Sequence, residues 1–338
     1  MDMKREKREL MPQLQQHQQY RHHTTLDDLL DYSLHRGTSS MKVLVTGSSG
    51  LIGSALMPYL AAGGHRPARL VRSKSPTDSP DIFWDPESGE MNTSHLEGLD
   101  AVVHLAGENI VGKWTSARKT RIRDSRINGT RALCEALAGL TRPPRVLISA
   151  SAVGYYGDRG TETLYEDSAA GLGFLADVCR AWEAATDPAI DAGIRVIYLR
   201  LGMVLSPSAG ALAQMLSPFG LGLGGRIGSG QQYWSWITLD DVISIIHHAL
   251  TTEVLEGPVN AVSPCPVTNV EFTRILGKVL GRPALLCLPA FAARLALDEM
   301  ADEVLLASTR VEPAQLKGTA YRFRHSNLED ALHCLLQR

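Results

Sequence analysis

Lys42-Val43-Leu44-Val45-Thr46-Gly47-Ser48-Ser49-Gly50-Leu51-Ile52-Gly53 opens as an apolar run and closes on three equally spaced glycines. Its first residues read as a buried strand. Behind the glycines, Leu51, Ala55, Leu56, Tyr59 and Leu60 recur at helical spacing. Each glycine in such a turn has a mechanical reason. Gly47 permits the tight turn, Gly50 lets a pyrophosphate approach the backbone, and Gly53 lets the helix pack on the strand. The free N–H groups and the positive dipole end of that helix then face the phosphates. Glycines alone also serve packing turns, so the reading rests on the strand before them and the helix after them.

The alternation continues outward from this unit. Short apolar runs at 42–45, 68–71, 101–104, 145–149 and 195–199 alternate with amphipathic stretches at 51–62, 117–138 and 175–192. That pattern implies an α/β fold: a Rossmann doubly wound parallel sheet covered on both faces. Ligands of such sheets bind outside the carboxyl ends of the strands. After Leu201 the texture changes. The glycine-rich run from Phe219 to Gly230 is expected to be a loop lying over a bound ligand. Helical patterns follow near 242–250, 292–307 and 328–336. The expected organisation is a flexible N-terminal extension (1–40), a nucleotide-binding Rossmann domain (41–205) and a small, mostly helical C-terminal substrate lobe (206–338). Part of the Rossmann sheet and helices is expected to recur in 235–265.

Composition narrows the classes. With 338 residues, 44% apolar and 21% charged, the chain can bury a large core in a main domain plus a smaller lobe. A formal net charge of −2 supplies no field to gather nucleic acid or an acidic membrane surface. No apolar run approaches the ~20 residues of a membrane helix. Cys134, Cys179, Cys265, Cys287 and Cys334 are scattered and never in Cys-x-x-Cys spacing. They argue for a reducing, cytoplasmic setting and against a disulfide framework or a zinc site. The extension crowds Gln and His into 13–23, lacks the apolar centre of a signal peptide, and carries acidic residues that spoil a transit peptide. It reads as a tail with a short helix at 26–34, and its His17, His22 and His23 as solvated rather than metal ligands. Met41, directly before the first strand, also fits a misassigned start.

The end of the second strand chooses the cofactor. An acidic residue there binds the ribose 2′-hydroxyl of NAD, and a basic one accommodates the 2′-phosphate of NADP. Here the strand ends Leu70-Val71-Arg72, with Lys74 close behind and no acid, which favours NADP. His104-Leu105-Ala106-Gly107 places small residues where a backbone runs beside the ribose and pyrophosphate, with His104 itself read as a packed strand residue. Asp85 is a candidate for the adenine amino group or a plain turn residue.

With the glycine turn, Leu105-Ala106-Gly107 and Asn128-Gly129-Thr130, the chain resembles the extended short-chain dehydrogenase/reductases and, within them, the NAD-dependent epimerase/dehydratase group. Asn109 near Trp114, the stretch Ser151-Ala152-Val153-Gly154-Tyr155-Tyr156-Gly157-Asp158, Leu221-Gly222-Leu223-Gly224-Gly225, Trp236-Ile237 and Leu288-Pro289-Ala290-Phe291 narrow the likeness to YfcH-type epimerase-family proteins. The resemblance runs from about Met41 to the C-terminus. It implies an NADP-dependent oxidoreductase with an unassigned small-molecule substrate. It also implies a cofactor shell of Gly47, Ser49, Gly50, Leu51 and Ile52, with Arg72 on the 2′-phosphate and Leu105, Ala106 and Gly107 along the ribose. Arg121 and Arg126, on a helix rich in Arg and Lys, would join that shell. Their spacing does not put them on one line of the helix, and the plainer reading of the basic run is a solvated face.

The chemistry is where the sequence departs from that pattern. Reductases of this class transfer hydride beside a Tyr-x-x-x-Lys pair and a Ser, the tyrosine acting as acid or base. In the stretch from Gly173 to Glu183 the tyrosine position falls on Leu175 and the lysine position on Cys179. Leucine transfers no proton and cysteine supplies no positive charge. Tyr155 or Tyr156, with Ser151 or Ser149 as partner and Asp158 or Glu166 assisting, is the candidate substitute; the alternative is that both tyrosines only pack. A non-catalytic NADPH-binding sensor or interaction protein is the competing class. On the substrate side, Trp234, Trp236, Gln231, Gln232, Glu108, Asn109 and the 221–230 loop are candidates for a pocket between the lobes.

Overall fold

A computed structural model describes residues 40–72, 81–84 and 93–337. The expected helix at 26–34, the tail histidines, Lys74 and Asp85 lie outside the described residues. Seven strands form the central sheet: β1 (Lys42–Thr46), β2 (Arg66–Val71), β3 (Ile82–Phe83), β4 (Ala101–His104), β5 (Val146–Ala152), β6 (Arg195–Leu201) and β7 (Gly257–Ala261). They lie in the order β3-β2-β1-β4-β5-β6-β7, and every neighbouring pair is parallel. The direction of winding reverses between β1 and β4, which opens a crevice at their carboxyl ends.

The period-two alternation of β1 supplies both cores. Val43 and Val45 face the layer holding Leu56 and Leu60 of α1 (Leu51–Ala62), while Leu44 faces Leu133 and Leu137 of α2 (Ser116–Ala138). All are fully buried, each contributing roughly 1.5–3 kcal/mol by its removal from water. The amphipathic stretch expected as one helix at 175–192 is instead broken into α3 (Phe174–Ala184) and α4 (Asp187–Asp191). Pro188 sits in the first turn of α4, where its missing N–H is harmless, and could not have continued α3.

Beyond β6 the chain leaves the sheet. It forms α5 (Gly210–Gly220), returns through α6 (Leu239–Thr251) to β7, and then builds α7 (Asn269–Leu280), α8 (Ala290–Leu297), α9 (Ala314–Gly318) and α10 (Leu328–Leu336). Leu212 and Phe219 of α5, Phe272 and Leu276 of α7, Leu332 of α10, and Trp236 share the core of this lobe. A reciprocal box between Thr268 and Glu271 fixes the start of α7. The glycine run expected to cover a ligand has a different task. Gly225–Ile227 pairs in parallel with Leu286–Leu288, and a Cβ on Gly225 would stand 2.0 Å from the Leu286 carbonyl oxygen. The glycines admit a close backbone approach within the lobe. No helix among the described residues is long and apolar enough to cross a membrane, and no cluster of three or more His, Cys, Asp or Glu among them could hold a metal ion.

Candidate functional site

The glycine turn meets the end of β4 at the crevice. Gly47 adopts φ +63°, and a Cβ there would stand 2.7 Å from the Leu105 carbonyl carbon. A Cβ on Gly53 would stand 2.3 Å from the Gly47 oxygen, so α1 seats directly on the turn. Gly50 differs: its Cβ would meet only the Gly47 oxygen, at 3.2 Å, and no side chain caps α1. The first N–H groups of α1 are thus left to an incoming anion, beside exposed Ser49 and half-buried Leu51 and Ile52. Arg72 stands exposed at the end of β2, with no hydrogen-bond or ion-pair partner among the described residues. Arg69, three residues earlier, is bound to Asp81 at 2.8 Å.

Thr46 fastens the two strand ends together. Its hydroxyl oxygen accepts from the Leu105 and Ala106 N–H groups, both at 3.1 Å, so its own hydrogen goes to His104 Nδ1 at 2.7 Å. His104 Nε2–H then donates to Thr130 Oγ1 at 2.9 Å, where Trp182 Nε1 also donates. This assignment makes His104 a neutral structural residue. Complete burial pulls its pKa down to about 4 from the ordinary 6.5. Between those values the unfolded chain binds a proton that the folded chain refuses, so stability is full above pH 6.5 and declines as pH falls toward 4. The expected loss between pH 7 and pH 5 is about 2 kcal/mol. Urea unfolding at the two pH values, set against His104→Gln, measures it.

Outside the ends of β4, β5 and β6 lies a cleft of about 450 Å³. Its floor is Leu105, Ala150, Ser151 and Leu201; Leu175, Val178, Cys179 and Trp182 of α3 form one wall. Met203, Met215 of α5, Trp234, Val304, Leu305 and Ala307 close the lobe side. Leu175 and Cys179, the residues standing at the tyrosine and lysine positions, therefore do face the cavity. Burial pushes the Cys179 thiol up to about 12, which removes it as a nucleophile. Trp236 is core, its Nε1 donating to Cys265 O, and buried Gln232 is spent on the Ile227 and Leu305 carbonyls.

Neither of the two tyrosines lines this cavity. Tyr156 is fully buried, donates to Asn260 Oδ1 at 2.7 Å and accepts from Arg200 at 2.9 Å. Burial, opposed by Arg200, raises its hydroxyl to about 12. Tyr155 lays its ring on the Arg200 guanidinium, 3.5 Å from Cζ to centroid. Asp158 and Glu166 are likewise tied to backbone N–H groups, of Ser308 and Gly160, and of Asn260, Ala314 and Gln315. Burial raises the Glu166 carboxyl despite those bonds.

Ser151 does reach the cavity. Its hydroxyl donates at 2.7 Å to Glu183 Oε1, and Glu183 is gripped by Arg200 through both oxygens at 2.9 Å. Glu183 and Arg200 escape a sequence reading because 17 residues and a strand crossing separate them. Arg126 also lines the cavity, donating to the Glu108 and Ile122 carbonyls and packing on Trp182. A Cβ on Gly107 would stand 3.3 Å from its guanidinium. Arg121 is mostly exposed, reaches the Glu108 carboxylate at 3.8 Å and does not line the cavity, so the structure brings only Arg126 of the two to it. Asn109 caps the Val111 N–H and takes no part in the wall. Glu303 had no sequence signal. It crosses from the lobe to accept from the Phe174 and Leu175 N–H groups at 2.6 and 2.7 Å, capping α3 beside the cavity it lines.

Comparison with known proteins accords with this geometry. A family described as NAD dependent epimerase/dehydratase family matches residues 43–261, and a domain of unknown function (DUF1731) matches 288–335. The epimerase family protein MT2273 of Mycobacterium tuberculosis is 46% identical over 291 residues, covering 86% of this chain and 96% of its own. The crystal structure of human epimerase family protein SDR39U1 (isoform 2) with NADPH matches at TM-score 0.81 and 34% identity, over 88% of this chain and all 100% of that one. A nucleoside-diphosphate sugar epimerase from Corynebacterium glutamicum matches at TM-score 0.76 and 38% identity, over 92% of this chain but 61% of that one. The chain belongs to the NAD dependent epimerase/dehydratase family.

Proposed function

We propose that this protein is an NADP-dependent oxidoreductase that acts on a small molecule held in the cleft above β4, β5 and β6. The observation that carries the reading is that Ser151 faces a cavity sharing Leu105 with the uncapped glycine turn. Dinucleotide and substrate would therefore meet beside one hydroxyl. The human relative crystallised with NADPH supports the choice of cofactor. Gly47, Ser49, Gly50, Leu51 and Ile52 would hold the pyrophosphate, Leu105, Ala106 and Gly107 the ribose, and Arg72 the 2′-phosphate. Arg126, which lines the cavity, would stand toward the nicotinamide.

When bound, the nicotinamide accepts or supplies hydride. The proton is handled by the chain. Because Ser151 gives its hydrogen to Glu183, its Oγ keeps a lone pair beside the Cys179 thiol that can accept one from a substrate hydroxyl. As the substrate's C–H and O–H bonds break and its C=O forms, the O–H proton passes to Ser151 Oγ and the serine's own proton passes to Glu183. Reduction runs the same relay backwards. Glu183 thus takes the part that Leu175 and Cys179 cannot.

Arg72→Ala is expected to weaken NADPH binding on the order of ten- to a hundredfold, the worth of one charge-assisted contact, and to leave NADH unchanged. Titration by nicotinamide fluorescence measures both. Equal binding of the two dinucleotides by the parent chain would remove the role of Arg72. Absence of binding to either would overturn the oxidoreductase reading. Tight NADPH binding without turnover of any alcohol or carbonyl would favour the sensor reading.

A further inference from the structure

We propose that the cleft takes an uncharged, predominantly apolar alcohol or ketone and disfavours a nucleotide sugar. This assignment deepens the oxidoreductase reading and rests on it.

The wall chemistry carries the argument. Leu175, Val178, Met203, Met215, Val304 and Leu305 face the cavity, with the rings of Trp182 and Trp234 among them. Among the described residues, only Arg126 and Glu303 bring a full charge to this wall. Glu303 is engaged by two backbone N–H groups, and Arg126 commits Nη1 to two backbone carbonyls, which leaves a single cation on the wall. Of the wall hydroxyls, that of Ser235 is spent, donating to the Thr309 carbonyl and accepting from the Val311 N–H, and that of Thr309 is neutral and offers no charge to an anion. A sugar nucleotide brings a second pyrophosphate, whose charges lose their hydration on entering an apolar cleft and need several cationic or N–H donors in return. Glu303 also places a carboxylate on this wall, over the helix N-terminus that would otherwise attract an anion. A ligand with one hydroxyl or carbonyl for Ser151 and hydrocarbon elsewhere matches every wall. The volume of about 450 Å³ lies within the 300–1,000 Å³ of sites that enclose a small molecule.

The test is displacement of the neutral fluorophore 1-aminoanthracene from the full chain by a 2-alkanone series from hexanone to decanone and by UDP-glucose, with and without NADPH. Affinity is expected to rise about three- to fourfold per added methylene, while UDP-glucose at the same concentrations displaces nothing. Val304→Arg is expected to weaken probe and alkanone binding tenfold or more without moving the NADPH titration, and Met215→Trp to cap the series at shorter chains. Displacement by UDP-glucose with none by the alkanones overturns the assignment, as does failure of the probe to bind. Alkanone binding without NADPH binding leaves the apolar site standing and removes the oxidoreductase reading beneath it, so the two failures are distinct.

Discussion

Glu183→Gln is expected to destabilise the fold by about 3–5 kcal/mol, the cost of leaving a buried charge without its partner. Arg200 and Glu183 are only 4% and 11% exposed, and they meet through two parallel hydrogen bonds at 2.9 Å. Burial disfavours the guanidinium charge, yet the bonds and charge of Glu183 hold Arg200 above its ordinary pKa. Without the carboxylate charge, Arg200 keeps only neutral oxygens, the introduced amide oxygen and those of Tyr156 and the Glu166 backbone, and the face of Tyr155. The thermal midpoint should fall on the order of 10 °C. Glu183→Leu combined with Arg200→Met should recover much of the loss, because an apolar pair of similar size needs no hydration replaced. Urea unfolding of the parent, both single variants and the double gives the coupling energy. A single-variant loss below about 1 kcal/mol would show the pair to be as weak as an exposed one.

The expected and observed structures agree where the determining interactions are local. The strand–turn–helix at 42–62 is specified within itself: apolar residues fill both faces of β1, and each glycine answers a contact inside the unit or with β4. Strands β4 and β6 were legible for the same reason, being runs that need no partner to declare them buried. The glycine run at 219–230 was ambiguous because a glycine permits close approach without naming what approaches; here it is the 286–288 strand. Tyr155 and Tyr156 sit in the loop where a catalytic group is expected, but loop position does not decide side-chain direction. Arg200 and Asn260, on β6 and β7, decide it by offering partners inside the core. Glu303 was illegible because its partners lie 128 and 129 residues away.

Ser151→Ala is expected to lower turnover by about 10²- to 10⁴-fold while NADPH affinity and the unfolding midpoint stay close to those of the parent. The serine is small and buried, and its loss leaves Glu183 still satisfied by Arg200, so the fold has little reason to notice it. The reaction does have reason. Leu175 and Cys179 offer no proton transfer, and Tyr156 is held by Asn260 and Arg200 away from the cavity. Tyr156→Phe is the matched control: it removes a buried hydroxyl between two polar partners, which costs about 1–3 kcal/mol of stability, and it should leave turnover intact. The outcomes separate two accounts of how this chain manages without the usual pair. If Ser151→Ala abolishes turnover and Tyr156→Phe only softens the fold, the proton travels through Ser151 to Glu183. If Tyr156→Phe abolishes turnover and Ser151→Ala spares it, the loop must open far enough to bring the phenol into the cleft. The relay would then be wrong, and Asn260, whose amide holds that phenol in the core, would become the residue that governs the reaction.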